Sequence, residues 1–209
     1  YLKGKGVLFS KNDVVVYNDN KKENYKAKNI VIATGSDVAS LPGITIDEKN
    51  IISSTGALSL NKVPKKLLVI GGGYIGLEMG SVWSRLGTEV TVMEYLDCIT
   101  PGMDREISQE FQKILNKQGI KFKLNSKVIS VKNKNNSVLV TFTDNKTSKS
   151  ETIEADKVLV SVGRKPYTEG LNLSKIGIKK DEKGRIKVNE KLQTSVNNIY
   201  AIGDVIKGP

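Results

Sequence analysis

The sequence predicts an α/β fold in which a parallel sheet is packed with helices and joined to antiparallel β-meanders. Three observations lead to that expectation. Leu67, Leu68, Val69 and Ile70 form a short, continuously apolar run, as suits a strand buried on both faces of a parallel sheet. Glycines follow at once at positions 71, 73 and 76, in G-x-G-x-x-G order, and lead into an amphipathic stretch that reads as a helix. A second apolar strand, from Val90 to Met93, ends in Glu94, roughly 20 positions beyond the first glycine.

Each glycine has its own task in such a turn. Gly71 lets the chain leave the strand sharply, Gly73 lets the backbone approach a pyrophosphate, and Gly76 lets the helix lie close to the strand. Gly80, one helical turn later, extends that close edge, and Gly87 stands where a C-terminal cap belongs. Ile75, Met79, Val82 and Leu86 are spaced as the inward stripe of the helix. The amides and dipole at its N-terminus would face the phosphates. The turn is therefore expected to hold a dinucleotide in a Rossmann-like domain. Glu94 selects among dinucleotides: its carboxylate accepts hydrogen bonds from two ribose hydroxyls and repels a 2′-phosphate. The following Tyr95, Leu96 and Asp97 supply no arginine. NAD is expected over NADP.

Around this unit the chain alternates strands and breakers. Residues 1–28 read as a small antiparallel meander around Val7, Phe9, Val14 and Val16. Asn29 to Ala33 reads as a buried strand stopped by Thr34, Gly35 and Ser36, and Ser53 to Leu60 as a connection. A helix is expected from near Asp104, with Ile107, Phe111, Ile114 and Leu115 inward and Gly119 at its end. Then come strands at Ile120 to Leu124, Lys127 to Val131, Val138 to Phe142 and Asp156 to Val162, the last ending at Gly163. One more, Asn198 to Ile202, ends at Gly203 and Asp204.

Composition narrows the classes. The net charge is +11, but lysines mixed with acids along the whole chain read as a solvated surface, so no nucleic-acid partner is expected. No apolar run approaches membrane-spanning length. A lone cysteine, Cys98, fits a reducing compartment and lacks a partner for nucleophilic work, since there is no histidine. No metal-ligand set and no catalytic residue is assigned.

Residues 7–36 and 127–164 share an element order: a meander, then an apolar strand ending at glycine (KNIVIATGS and DKVLVSVGR). Only the second copy has its glycine turn within the chain. With Tyr at position 1, the chain is expected to begin inside a first dinucleotide domain.

Three stretches carry a family resemblance: IVIATGS at 30–36, the turn GGGYIGLEMG, and TSVNNIYAIGD at 194–204. The chain resembles the middle of a flavin-dependent pyridine nucleotide-disulfide oxidoreductase, most closely the members that oxidise dihydrolipoyl groups; SSTGALSL, RLGTEVTVME and KQGIKFKLN add to that likeness. The resemblance implies an NAD-binding domain at 59–166, inserted between FAD-domain segments at 1–58 and 167–209. The redox-disulfide part and the dimerisation domain would lie outside the chain.

By position, Gly71, Gly72, Gly73, Tyr74, Ile75, Gly76, Leu77, Glu78 and Glu94 would hold NAD, with Val128 and Gly163 adding backbone contacts. Gly6, Thr34, Gly35, Ser36 and Asp204 would line the FAD site. Glu78 is expected in the first helical turn, either beside the nicotinamide or simply as an acid favoured at a helix N-terminus. Implied partners are FAD, NAD(H), the lipoyl domains of 2-oxoacid dehydrogenase complexes and a second copy in a homodimer. The compartment would be bacterial cytoplasm, or mitochondrial matrix in a eukaryote. The family's chemistry needs a cysteine pair and a histidine base, so this chain alone is expected to be inactive. A glutathione or mercuric reductase, an NADH oxidase and a non-catalytic NAD module remain as alternatives.

Overall fold

The chain opens with a meander in which β1 (Lys5–Leu8), β2 (Asp13–Asn18) and β3 (Lys21–Lys26) pair antiparallel. The computed structural model describes residues 1–19 and 21–208. Leu8 and its cross-strand partner Val14 pack into the core, whereas Phe9, one of the apolar positions around which the meander was expected, is exposed. Phe9 has already left the strand, because its amide donates to Asp13 in the turn. β4 (Ile30–Ile32) buries Ile30 and Ile32 but exposes Val31, so the expected buried strand is covered on one face only. β5 (Ser36–Val38) follows.

Next come β6 (Ile51–Ile52), α1 (Ser54–Leu58), β7 (Lys66–Ile70), α2 (Tyr74–Arg85), β8 (Glu89–Met93), α3 (Arg105–Lys117) and β9 (Lys121–Lys123). A second meander is built from β10 (Ser126–Lys134), β11 (Ser137–Asp144) and β12 (Ser150–Ala155), and β13 (Lys157–Val160) leads out of it. β14 (Arg164–Pro166) and β15 (Ile199–Ala201) complete the strands, with β15 parallel to β4. Both meanders have three strands and precede a strand of a parallel pair, so the repeated element order is present in the fold.

The chain divides into two units, Tyr1–Asp37 with Arg164–Pro209, and Val38–Gly163. The first boundary falls ahead of the expected 58/59. The reason is local: Ile51 and Ile52 are an edge strand of the second unit's sheet, paired in parallel with Val158 and Leu159.

That sheet is five-stranded, in the order β6-β13-β7-β8-β9, and its recorded pairings are parallel. Alternation along each strand splits the core in two. Leu67, Val69, Val90, Val92 and Leu159 face one way and pack with Leu77 and Trp83 of α2, Leu115 of α3 and Ile99 of the loop between β8 and α3. Leu68, Ile70, Met93, Val158 and Val160 face the other way and pack with Val138, Val140 and Phe142 of the meander. Both faces are thus covered, as the continuous apolar run at 67–70 requires. At about 1.5–3 kcal/mol for each fully buried aliphatic side chain, these layers hold the glycine turn at the end of β7 in place.

The faces of two helices differ from expectation. α2 buries Gly76, Leu77, Gly80 and Trp83, while Val82 is 47% and Leu86 55% exposed. Gly80 lies against Val90 and Val69, so the glycines take the centre of the inward face; of the expected stripe Met79 still packs against the core and Ile75 is half-buried, while Val82 and Leu86 fall outside it. In α3, Leu115 is inward as expected, but Ser108 is its buried companion, and Ile107, Phe111 and Ile114 are exposed. A buried hydroxyl pair, Ser108 with Thr100 at 2.8 Å, fixes that orientation. α1 falls where a connection was expected: Ser53 caps it by accepting from the amide of Thr55.

One carboxylate locks the entry to β6. Burial alone would raise the Asp47 carboxyl, but hydrogen bonds from Asn133 and from the amides of Lys49, Ile51 and Asn50 together bring it down to about 2. Because its folded value is depressed, the stability it contributes is present above the unfolded value near 4 and is lost as pH falls towards 2. Denaturant titrations from pH 5 to 2 should show that loss, and Asp47→Ala should flatten it while costing on the order of 1–2 kcal/mol at neutral pH. An unchanged acid slope in the variant would show that other carboxylates set it.

Candidate functional site

At the C-terminal end of β7 the glycines fall into two physical kinds. Gly71 has φ +107°, and a Cβ there would stand 2.5 Å from the carbonyl oxygen of Ser161. Gly76 has no room either, since a Cβ would strike the Gly71 carbonyl and come within 2.6 Å of Ser161 Oγ and 2.9 Å of Val69. Both are required by the protein itself. Gly73 is different: it is the N-cap of α2 in extended backbone, φ −78° and ψ 177°, and a Cβ there would meet nothing within 4 Å. Neither conformation nor packing calls for glycine at 73, so the open space beside it is the feature to explain.

That space belongs to a cavity of about 740 Å³, within the usual range for small-molecule sites. It is lined by Gly71, Gly73, Tyr74 and Ile75 of the turn, by Leu41, Pro42 and Ile44, and by the loop Glu94, Tyr95, Leu96, Thr100, Pro101 and Met103. Val128, beside the bulge of β10, and Gly163 also line it, with Ser126, Lys127, Ser161 and Val162. Among the described residues no side chain caps α2, which leaves the amides of its first turn open towards an anion.

Glu94 is 8% exposed, and each of its carboxylate oxygens is held by a backbone amide. Gly72 donates to Oε2 at 2.7 Å and Leu96 to Oε1 at 2.9 Å. Each oxygen keeps a further lone pair, so the aimed carboxylate can still accept from hydroxyls. Gly72, Gly76 and Leu77 are buried behind the cavity wall and do not line it. Glu78 is exposed, lies beyond the first turn of α2 where it was expected, and is not part of the lining. The helix starts at Tyr74, which puts position 78 in the second turn.

An open glycine N-cap, free helix amides and a buried, aimed carboxylate around one cavity suit a nucleotide diphosphate with free ribose hydroxyls. NAD fits that donor and acceptor set. The walls at Leu41 to Ile44 and Thr100 to Met103 were not read from the sequence, because they reach the cavity only through tertiary folding.

In the other unit, the hydroxyl of Ser36 donates to Asp204 at 2.7 Å, and Thr34 donates to the carbonyl of Tyr167 at 2.6 Å. Gly35 between them has φ +69°. Arg164, not singled out in the sequence, donates to both the hydroxyl and the carbonyl of Ser36 at 2.6 Å and so orders this cluster. Asp204 stays exposed and can accept further hydrogen bonds, as a polyhydroxyl chain such as that of FAD would supply. Gly6 lies in β1 opposite Val16.

Curated relatives match the whole chain. It is 56% identical over 211 residues to a leghemoglobin reductase from Glycine max, covering 100% of this chain and 40% of that protein. It is 55% identical over 210 residues to a mitochondrial dihydrolipoyl dehydrogenase from Pisum sativum, covering 100% of this chain and 42% of the other. Among solved structures, the Cu(II) complex of the HOCl-induced flavoprotein disulfide reductase RclA from Escherichia coli superposes with a TM-score of 0.89 at 30% identity, covering 99% of this chain and 46% of that one. The chain therefore spans about two-fifths of the length of the curated relatives it matches. Residues 1–209 match the family described as pyridine nucleotide-disulphide oxidoreductase, and the chain belongs to that family.

Proposed function

We propose that this chain is the NAD-binding central portion of a dihydrolipoyl dehydrogenase. Relatives carrying that name are 51–56% identical across essentially the whole chain. The observation that carries the reading is Gly73, an N-cap with open space where a side chain would stand, facing the same cavity as the buried Glu94.

In this reading Val38–Gly163 holds NAD. Glu94 accepts from the adenosine ribose, the first-turn amides of α2 meet the pyrophosphate, and Val128 and Gly163 make backbone contacts. The other unit contributes Thr34, Gly35, Ser36 and Asp204, with Gly6, to an FAD site, and Arg164 orients Ser36 for that purpose. The whole enzyme moves two electrons from a dihydrolipoyl dithiol to NAD, giving the disulfide, NADH and a proton; FAD and NAD supply the redox chemistry when bound. The dithiol would arrive on lipoyl domains of a 2-oxoacid dehydrogenase complex, to a homodimer. The mitochondrial names of several relatives favour the mitochondrial matrix over the bacterial cytoplasm.

Thiol-disulfide exchange needs two sulfurs within bonding distance, and this chain has Cys98 alone and no histidine to take the thiol proton. Purified chain should be colourless and give background rates of lipoamide-dependent NADH formation even with added FAD. Its melting temperature should still rise with added NAD. Turnover by this chain alone would contradict the division of labour proposed here, and a melting temperature indifferent to NAD would contradict the nucleotide site.

A further inference from the structure

We propose that Thr100 is a positioning residue for nucleotide selection, acting through Gly72 on Glu94; the inference rests on the NAD reading above. The Gly72 peptide is clamped from both sides. Its N–H donates to Glu94 Oε2 at 2.7 Å, and its carbonyl accepts from the amide of Thr100 at 2.8 Å. Thr100 makes that bond from φ +48°, a conformation that a β-branched residue rarely adopts. Its hydroxyl lies 2.8 Å from Ser108 Oγ, and both residues are buried. Ser108 Oγ spends its single proton on the carbonyl of Asp104, at 2.9 Å, so Thr100 is the donor in the hydroxyl pair.

The strained residue is thus tied to the first turn of α3 by its side chain and to the glycine turn by its backbone. Without the hydroxyl bond it can relax towards negative φ and withdraw its amide from Gly72. Gly72 then no longer fixes Glu94, and the acceptor for the ribose hydroxyls is lost. NADP gains nothing comparable from that carboxylate, which repels its 2′-phosphate, so NADP affinity holds or rises as NAD affinity falls, whereas a general loosening of the fold would weaken both nucleotides alike.

The test is calorimetric titration of the chain with NAD and with NADP, for Thr100→Val, Thr100→Ser and Ser108→Ala. Thr100→Val and Ser108→Ala should lower NAD affinity about tenfold with NADP affinity unchanged or raised, and Thr100→Ser, which keeps the hydroxyl, should stay within about twofold of the unmutated chain. In a Glu94→Ala background Thr100→Val should have no further effect on NAD. An unchanged NAD-to-NADP ratio in both hydroxyl-deleting variants, equal losses for both nucleotides, or a full effect without Glu94 would overturn the role of Thr100 and leave the NAD site standing. An unmutated chain that binds neither nucleotide would overturn both.

Discussion

Gly73→Ala should weaken NAD binding by about 100-fold while leaving the fold nearly untouched. The added methyl meets no protein atom within 4 Å, and φ −78° with ψ 177° suits any residue. Alanine is a poorer N-cap than glycine, which costs stability on the order of 0.5–1 kcal/mol. The large loss is therefore a ligand effect, because the methyl occupies the space into which a phosphate oxygen must come to reach the amides of α2. Gly76→Ala is the counterpart. Its methyl strikes the Gly71 carbonyl, Ser161 Oγ and Val69, so stability should fall by about 1–3 kcal/mol, and binding with it as the turn is displaced. Melting curves and NAD titrations on the two variants separate these effects. Equal NAD affinity in Gly73→Ala and the unmutated chain would mean that no phosphate approaches position 73.

The second large effect is expected at Glu94. Glu94→Gln preserves shape but offers one acceptor oxygen where the amides of Gly72 and Leu96 each need one. One buried N–H is left facing an NH₂ group, at a cost of about 1–3 kcal/mol. Glu94→Ala strands both amides and removes the ribose acceptor, so its NAD affinity should drop at least about tenfold and its preference over NADP should vanish. Glu94→Arg should invert the preference if the guanidinium can reach the 2′-phosphate. Retained NAD preference in Glu94→Ala would place selectivity elsewhere in the cavity.

The strand-turn-helix-strand at 66–93 was legible in the sequence because it is local: an apolar run, glycines at fixed offsets, and an acid at the end of the next strand. What was not legible depends on contacts distant in sequence. Val82 and Leu86 share helical spacing with Ile75 and Met79, yet they end up exposed, since glycines 76 and 80 let α2 come closest to the sheet along their own side. α3 is oriented by Ser108, whose role appears only once Thr100 lies beside it. Ile51 and Ile52 carry too short a signal to be read as a strand without Val158 and Leu159 next to them. Leu41, Pro42 and Ile44 reach the cavity by tertiary folding alone. Arg164 follows Gly163 directly, yet its role depends on Ser36, 128 positions away in the sequence.

The measurement that bears most directly on the nucleotide site is calorimetric titration of the unmutated chain with NAD and NADP at fixed salt. One saturable NAD site per chain, with NADP bound at least about tenfold more weakly, is the expected result. No binding heat with either nucleotide, or equal affinities for the two, would contradict the reading of Gly73 and Glu94 on which the proposed function depends.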